Sequence, residues 1–394
     1  MPAPAANSGI SSEPAALIRP FMPELDTLRG IAVLGVLLLH AFFWQYAGYS
    51  FGPFAKAFLR ATQPGGYGVN LFFVLSGFLI TGILLDSKSR DHYYRRFYTR
   101  RALRILPAYY ALLILLLLLR SSSAAFVGLS FVYLANMTDF VGIACDYGPL
   151  WSLAVEEHFY ILWPAVVRRL TLRCLAWVSA SLLILIPALR ATSFAMGHKA
   201  GLDWYTWFAA DGLAAGSLLA ILLRSAVTRK QVWTLCGALL GSSVIGGIVG
   251  APFGIATRNR LLGAGLQWTT IHIFCAGILL LFLLAGTSSA RRYVNLSVLR
   301  FFGYLSYGLY LYHMLAFRMY DRICRNYFPQ LIPSNGHFKL VLLRFVLAGG
   351  GALAIAYLSR RFFEERFLRM KDSLLPHPAK PIMVPSTTVD TQVA

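Results

Sequence analysis

Arg29 and His40 stand eleven residues apart in the first long apolar run, RGIAVLGVLLLH. If that run is helical, eleven steps of about 100° come to roughly three turns plus 20°. Both side chains then lie on one stripe, with Arg29 at its edge and His40 about 16 Å further along. In a bilayer whose hydrocarbon core is roughly 30 Å thick, the histidine falls near the midplane. Ionisable groups are costly at that depth, so this histidine, in line with a boundary arginine, points to a buried reaction or transport site. The competing reading is a histidine that is hydrogen-bonded between helices only for packing.

Three other groups carry chemistry. The stretch WSLAVEEHFYILWP (151–164) places Glu156, Glu157 and His158 inside an apolar span. Glu156 and Tyr160 are i,i+4 neighbours, while Glu157 points about 100° away round the helix. Carboxyl groups in such a site can act as acid or base. Arg101 and Arg104 are three apart and share a helix face. Two guanidiniums there suit a phosphate or pyrophosphate, although ordinary charge flanking a membrane helix would look the same. His313 ends SYGLYLYH, with Ser306 and Tyr310 on its face. Counted from residue 302 it is also about 16 Å deep, so the two histidines could meet across one cavity.

Other motifs are less informative or absent. The glycines of GGYGVN (65–70) suit close helix packing. Ser76 has no neighbouring base in sequence. Asp26, with Glu24, sits where carboxylates favour the positive end of a helix, and it reads equally well as a cap. No GxSxG, Walker loop, HExxH or CxxC occurs, and no metal is expected.

The elements that position these residues follow from composition. The chain has 394 residues, 57% hydrophobic and 13% charged, about half the charge of a soluble domain. Apolar runs recur near 28–46, 67–86, 102–120, 124–140, 150–168, 172–190, 205–223, 231–252, 265–286, 302–322 and 339–359. This predicts an all-α, polytopic membrane protein. The net charge of +20 lies in loops beside these runs, which argues against nucleic acid as the partner. Basic clusters at 88–104, 168–173, 224–230, 291–292 and 360–366 all fall on one side if 124–140 does not span. The expectation is therefore about ten spanning helices with both termini cytosolic and 124–140 re-entrant or interfacial, placing Arg190, Lys199, Arg258 and Arg260 outside. Residues 1–22 and 371–394 read as disordered tails around a membrane domain at 23–370.

Taken in order, Arg29-x10-His40, FFVLSGFLI (72–80), Arg101-x2-Arg104, WSLAVEEHFYILWP and LSYGLYLYH (305–313) resemble the acyltransferase-3 membrane acyltransferases. The resemblance covers about 24–367. It departs at His158, where glutamine is common, at Thr27, where glycine is common, and in FFEERF, which lacks a proline often seen there. It implies O-acylation of a sugar, as in lipopolysaccharide, exopolysaccharide or peptidoglycan, from cytosolic acyl-CoA, most often acetyl-CoA. It further implies a bacterial inner-membrane protein of the stand-alone form, without a periplasmic SGNH hydrolase-like domain. No permanently bound cofactor is implied. The expected partners are acyl-CoA, a carbohydrate or glycolipid acceptor, and the bilayer. His40, Arg29, Glu156 and Glu157 are the expected catalytic set. Arg101 and Arg104 are expected to bind CoA, and Tyr160, Tyr310 and His313 to bind substrate. A proton- or solute-coupled transporter is the alternative, because buried His, Glu and Arg also suit ion relays. Against it, no internal repeat is evident. A sensor or assembly subunit that keeps the fold without chemistry is a third reading.

Overall fold

A computed structural model describes residues 17–374, and its principal elements are all helices. In chain order they are α1 (Pro23–Tyr46), α2 (Pro53–Asp86), α3 (Tyr93–Leu118), α4 (Ala124–Phe131), α5 (Leu150–Arg169) and α6 (Leu172–Ala195). They continue with α7 (Asp211–Leu222), α8 (Arg229–Gly250), α9 (Leu261–Gly286), α10 (Ser297–Tyr327) and α11 (Phe338–Arg369). No β-strand occurs among the described residues.

Seven of these helices are long and apolar enough to cross a membrane: α1, α2, α3, α6, α8, α9 and α11. The other three expected spans are also helical. However, α7 has only 12 residues, and α5 and α10 miss the criterion by composition. The expected ten is thus not reached on length and apolarity. The 124–140 segment holds no helix long enough to span. Helix α4 has eight residues, about 12 Å of rise against a core of roughly 30 Å. Short 3₁₀ turns at Ala135–Met137 and Asp139–Val141 follow it.

Helix α1 is central because it is apolar on more than one face. Val33 and Val36 join a buried cluster with Leu112, Leu309 and Phe317. Leu25, Leu28 and Ala32 join a second cluster with Val74, Leu219 and Leu279. In a bilayer, helix contacts depend on close approach rather than on removing apolar surface from water. Glycines permit that approach here. A Cβ at Gly30 would lie 1.9 Å from the Leu299 carbonyl oxygen, and one at Gly303 1.9 Å from that of Asp26. Gly77 and Gly216 play the same part where α2 crosses α7.

The tails expected over 1–22 and 371–394 lie largely outside the described residues. Within 17–22, Leu17 is fully buried. Arg19 pairs with Glu24 and donates to the Gly286 carbonyl at 3.2 Å. The packed region therefore begins before residue 23.

Candidate functional site

Helices α1, α2, α3, α5 and α10 enclose a cavity of about 770 Å³, mouth included. Arg29, Ser76, Arg101, Arg104, Glu156 and Tyr310 all line it. The structure brings Glu156 into the same chamber as all three guanidiniums.

Each wall supplies one part. Helix α5 presents Glu156, whose Oε1 accepts from Ser76 Oγ at 2.8 Å and whose Oε2 accepts from Tyr160 Oη at 3.1 Å. The i,i+4 pairing expected for Glu156 and Tyr160 is thus formed, and Ser76 is a partner that no local pattern revealed. Helix α3 presents Arg101, whose guanidinium stacks 3.7 Å above the Tyr160 ring. Its buried Nε has no hydrogen-bond partner among the described residues. Arg104 makes no hydrogen bond among those residues. Its surface is exposed although protein surrounds it, because it faces the cavity. Arg29, Arg101 and, from α11, Arg360 are close enough to act on it electrostatically. Asp26 donates no cap to α1. Instead its Oδ1 accepts from Arg29 at 3.1 Å. Several guanidiniums with donors to spare make the chamber suited to an anion with several oxygens.

The two histidines meet. His40 Nδ1 lies 3.0 Å from His313 Nε2, with the rings 5.1 Å apart and tilted by 26°. His40 sits in a π-helical turn, Leu39–Phe43, so the helix locally departs from the regular spacing assumed above. Neither histidine lines the cavity. Tyr310 connects the two regions. Its ring is 6.0 Å from that of His313, and its hydroxyl shares a 2.6 Å hydrogen bond with Ser152.

Glu157 is separate from Glu156. It makes no hydrogen bond among the described residues and lies within electrostatic reach of Tyr109 and Tyr133, whose rings stack 4.4 Å apart. His158 bonds Thr206 at 2.7 Å, and Thr206 accepts from Asn136 at 2.9 Å. This tethers α5 to the loop after α4.

Sequence reasoning missed a second polar cluster. Arg190, expected at the outer end of its segment, is fully buried. It pairs with Asp211, Nη2 to Oδ2 at 2.9 Å, and donates to Thr269 at 2.6 Å and to the Gly265 carbonyl at 3.0 Å. His272 stands 3.3 Å from Asp211 and, through Nε2, 2.8 Å from Asn70 Nδ2. Helices α2, α6, α7 and α9 are joined through it. The available signal was that Arg190 and Asp211 are opposite charges, each inside an apolar stretch. Among the described residues no group of three or more His, Cys, Asp or Glu side chains could hold a metal.

The family described as an acyltransferase domain matches residues 22–361. Among curated proteins, the peptidoglycan O-acetyltransferase OatA of Listeria monocytogenes is 28% identical, over 75% of this chain and 49% of its own length. The O-acetyltransferase OatA of Staphylococcus aureus is 25% identical, over 74% of this chain and 50% of its own length. The chain thus spans about half the length of the curated relatives it matches. No solved structure matches.

Proposed function

Because the chain belongs to this acyltransferase family, we propose that it is a multi-pass membrane O-acyltransferase. It moves an acyl group, acetyl in the first instance, from cytosolic acyl-CoA to a hydroxyl of a cell-surface carbohydrate or lipid-linked sugar. The observation that carries this reading is the chamber that Arg29, Arg101 and Arg104 line together with Glu156. A CoA pyrophosphate needs several guanidinium donors, and an acceptor hydroxyl needs a polar group nearby to orient it. A glycan acceptor is supported by the Listeria relative, named for peptidoglycan O-acetylation.

In the proposed reaction, His40 takes the proton from the acceptor hydroxyl as that oxygen attacks the thioester carbonyl. Arg29 stabilises the oxyanion that develops. Collapse breaks the carbon–sulfur bond, and the departing CoA sulfur takes up the proton. In a second form of the step, His40 itself carries the acyl group between donor and acceptor. Arg101 and Arg104 hold the pyrophosphate. Glu156 and Glu157, with Tyr160 and Tyr310, orient the acceptor. Counting α5, α7 and α10 as spans gives ten crossings, which puts the basic clusters and both termini on the cytosolic side of the cell membrane.

The test is release of free CoA from acetyl-CoA by the protein in nanodiscs, with host membrane or polysaccharide extract as acceptor. Release that requires extract and vanishes in folded His40→Ala supports transfer through this histidine. Equal turnover in the variant sinks the assigned site. No turnover across a panel of acyl-CoAs, together with solute flux in proteoliposomes, favours a transporter.

A further inference from the structure

The histidine pair has a direction that the backbone imposes. A carbonyl oxygen can only accept a hydrogen bond. The Leu309 carbonyl lies 3.0 Å from His313 Nδ1, so that nitrogen carries the proton. In a neutral imidazole the other nitrogen is then an acceptor. His313 Nε2, 3.0 Å from His40 Nδ1, must therefore receive a proton donated by His40. That leaves His40 Nε2 bare.

We propose that His313 is a positioning residue that holds His40 in the Nδ1-protonated tautomer, so that Nε2 is the nitrogen that takes the acceptor proton or carries the acyl group. This rests on the role given to His40 above. The arrangement follows the logic of a catalytic triad, in which a third group orients the base. Here no carboxylate touches either ring among the described residues; a second histidine, anchored on a backbone carbonyl, takes that place.

The surroundings make His313 a rigid anchor. It is 1% exposed. Tyr147 Oη donates to the Leu311 carbonyl at 2.6 Å and accepts from the Leu315 amide at 3.0 Å. A tyrosine hydroxyl is thus inserted into the α10 hydrogen-bond ladder beside His313, a known cause of local helix distortion. The register of α10 at the histidine is thereby held from a neighbouring segment rather than by its own helix alone.

Nitrogen-15 histidine NMR of the full chain in nanodiscs tests this without needing turnover, with His40→Ala and His313→Ala spectra assigning the resonances. The inference expects a protonated Nδ1 and an unprotonated Nε2 on His40, and loss of that preference in His313→Ala. A proton on Nε2 of His40 in the wild type overturns it. In the CoA-release assay, His313→Ala should lower kcat by about 100-fold or more with the acetyl-CoA KM little changed. His313→Gln, whose side-chain oxygen can accept from Nδ1–H, should recover at least about tenfold of that loss. Wild-type turnover in His313→Ala, or no recovery in His313→Gln, also overturns it. Absence of turnover in every protein sinks the acyl-transfer reading instead, and the tautomer alone then decides this inference.

Discussion

The Arg101 guanidinium lies 3.7 Å above the Tyr160 ring, and the Tyr160 hydroxyl donates to Glu156 at 3.1 Å. An arginine of α3 and a carboxylate of α5 thus share one tyrosine without forming a direct ion pair. A direct pair would have consumed the donors of the fork. Stacking on a ring fixes the guanidinium plane and leaves its N–H edges for an incoming anion.

Lysine should therefore be a poor substitute at either arginine. Arg101→Lys keeps the charge but loses the planar stack and the bidentate fork. The acetyl-CoA KM should rise about tenfold for Arg101→Lys and for Arg104→Lys, corresponding to about 1.4 kcal/mol of binding. Steady-state kinetics with varied acetyl-CoA checks this. Unchanged KM in both variants would remove these residues from the donor site.

Glu156 accepts two hydroxyl protons, from Ser76 and Tyr160. Glutamine replaces one acceptor oxygen by a donor, so Glu156→Gln should retain the fold while kcat falls about 100-fold. Ser76→Ala removes one of these hydrogen bonds and should reduce kcat by about tenfold. Wild-type rates in Glu156→Gln, with correct folding shown by size exclusion, would reassign the carboxylate to packing.

The Arg190–Asp211 pair, both members fully buried, makes a different prediction. Removing one partner strands the other charge, which costs about 3–5 kcal/mol. Asp211→Ala should sharply lower the thermal midpoint in detergent, whereas replacement of the exposed turn residue Asp91 should not. A midpoint within a degree or two of wild type would show that Arg190 finds other acceptors adequate.

At the α1–α10 crossing, the sterics are severe. A Cβ at Gly303 would sit 1.9 Å from the Asp26 carbonyl oxygen, whereas nothing lies within 4 Å of one at Gly350. Gly303→Val should therefore reduce the yield of monodisperse protein severalfold and lower CoA release, while Gly350→Ala should leave both unchanged. Fluorescence-detected size exclusion with the release assay reads both. Tolerance of Gly303→Val would mean that the two helices are free to separate.

Much of the site was legible because its signals are local. Arg29, Arg101 and Arg104 stand out as charges at the edges of apolar runs, and Glu156 as one inside. The spacing of Glu156 and Tyr160 foretells their hydrogen bond, because a helix repeats every 3.6 residues. The polarity of 124–140 likewise agrees with a helix of only eight residues there. The burial of Arg190 was not legible, because a charge near a segment end looks the same whether it faces water or a buried partner.

Composition and periodicity establish a helical membrane protein, and show which ionisable residues stand inside apolar stretches and which of them share a helix face. The packing of the bundle adds that Ser76 meets Glu156, that His40 meets His313 across 273 positions, and that Asp211 neutralises Arg190. Periodicity describes one helix at a time. Which faces meet depends on where backbones can approach, and that is set by glycines such as Gly30 and Gly303 acting in pairs across the bundle.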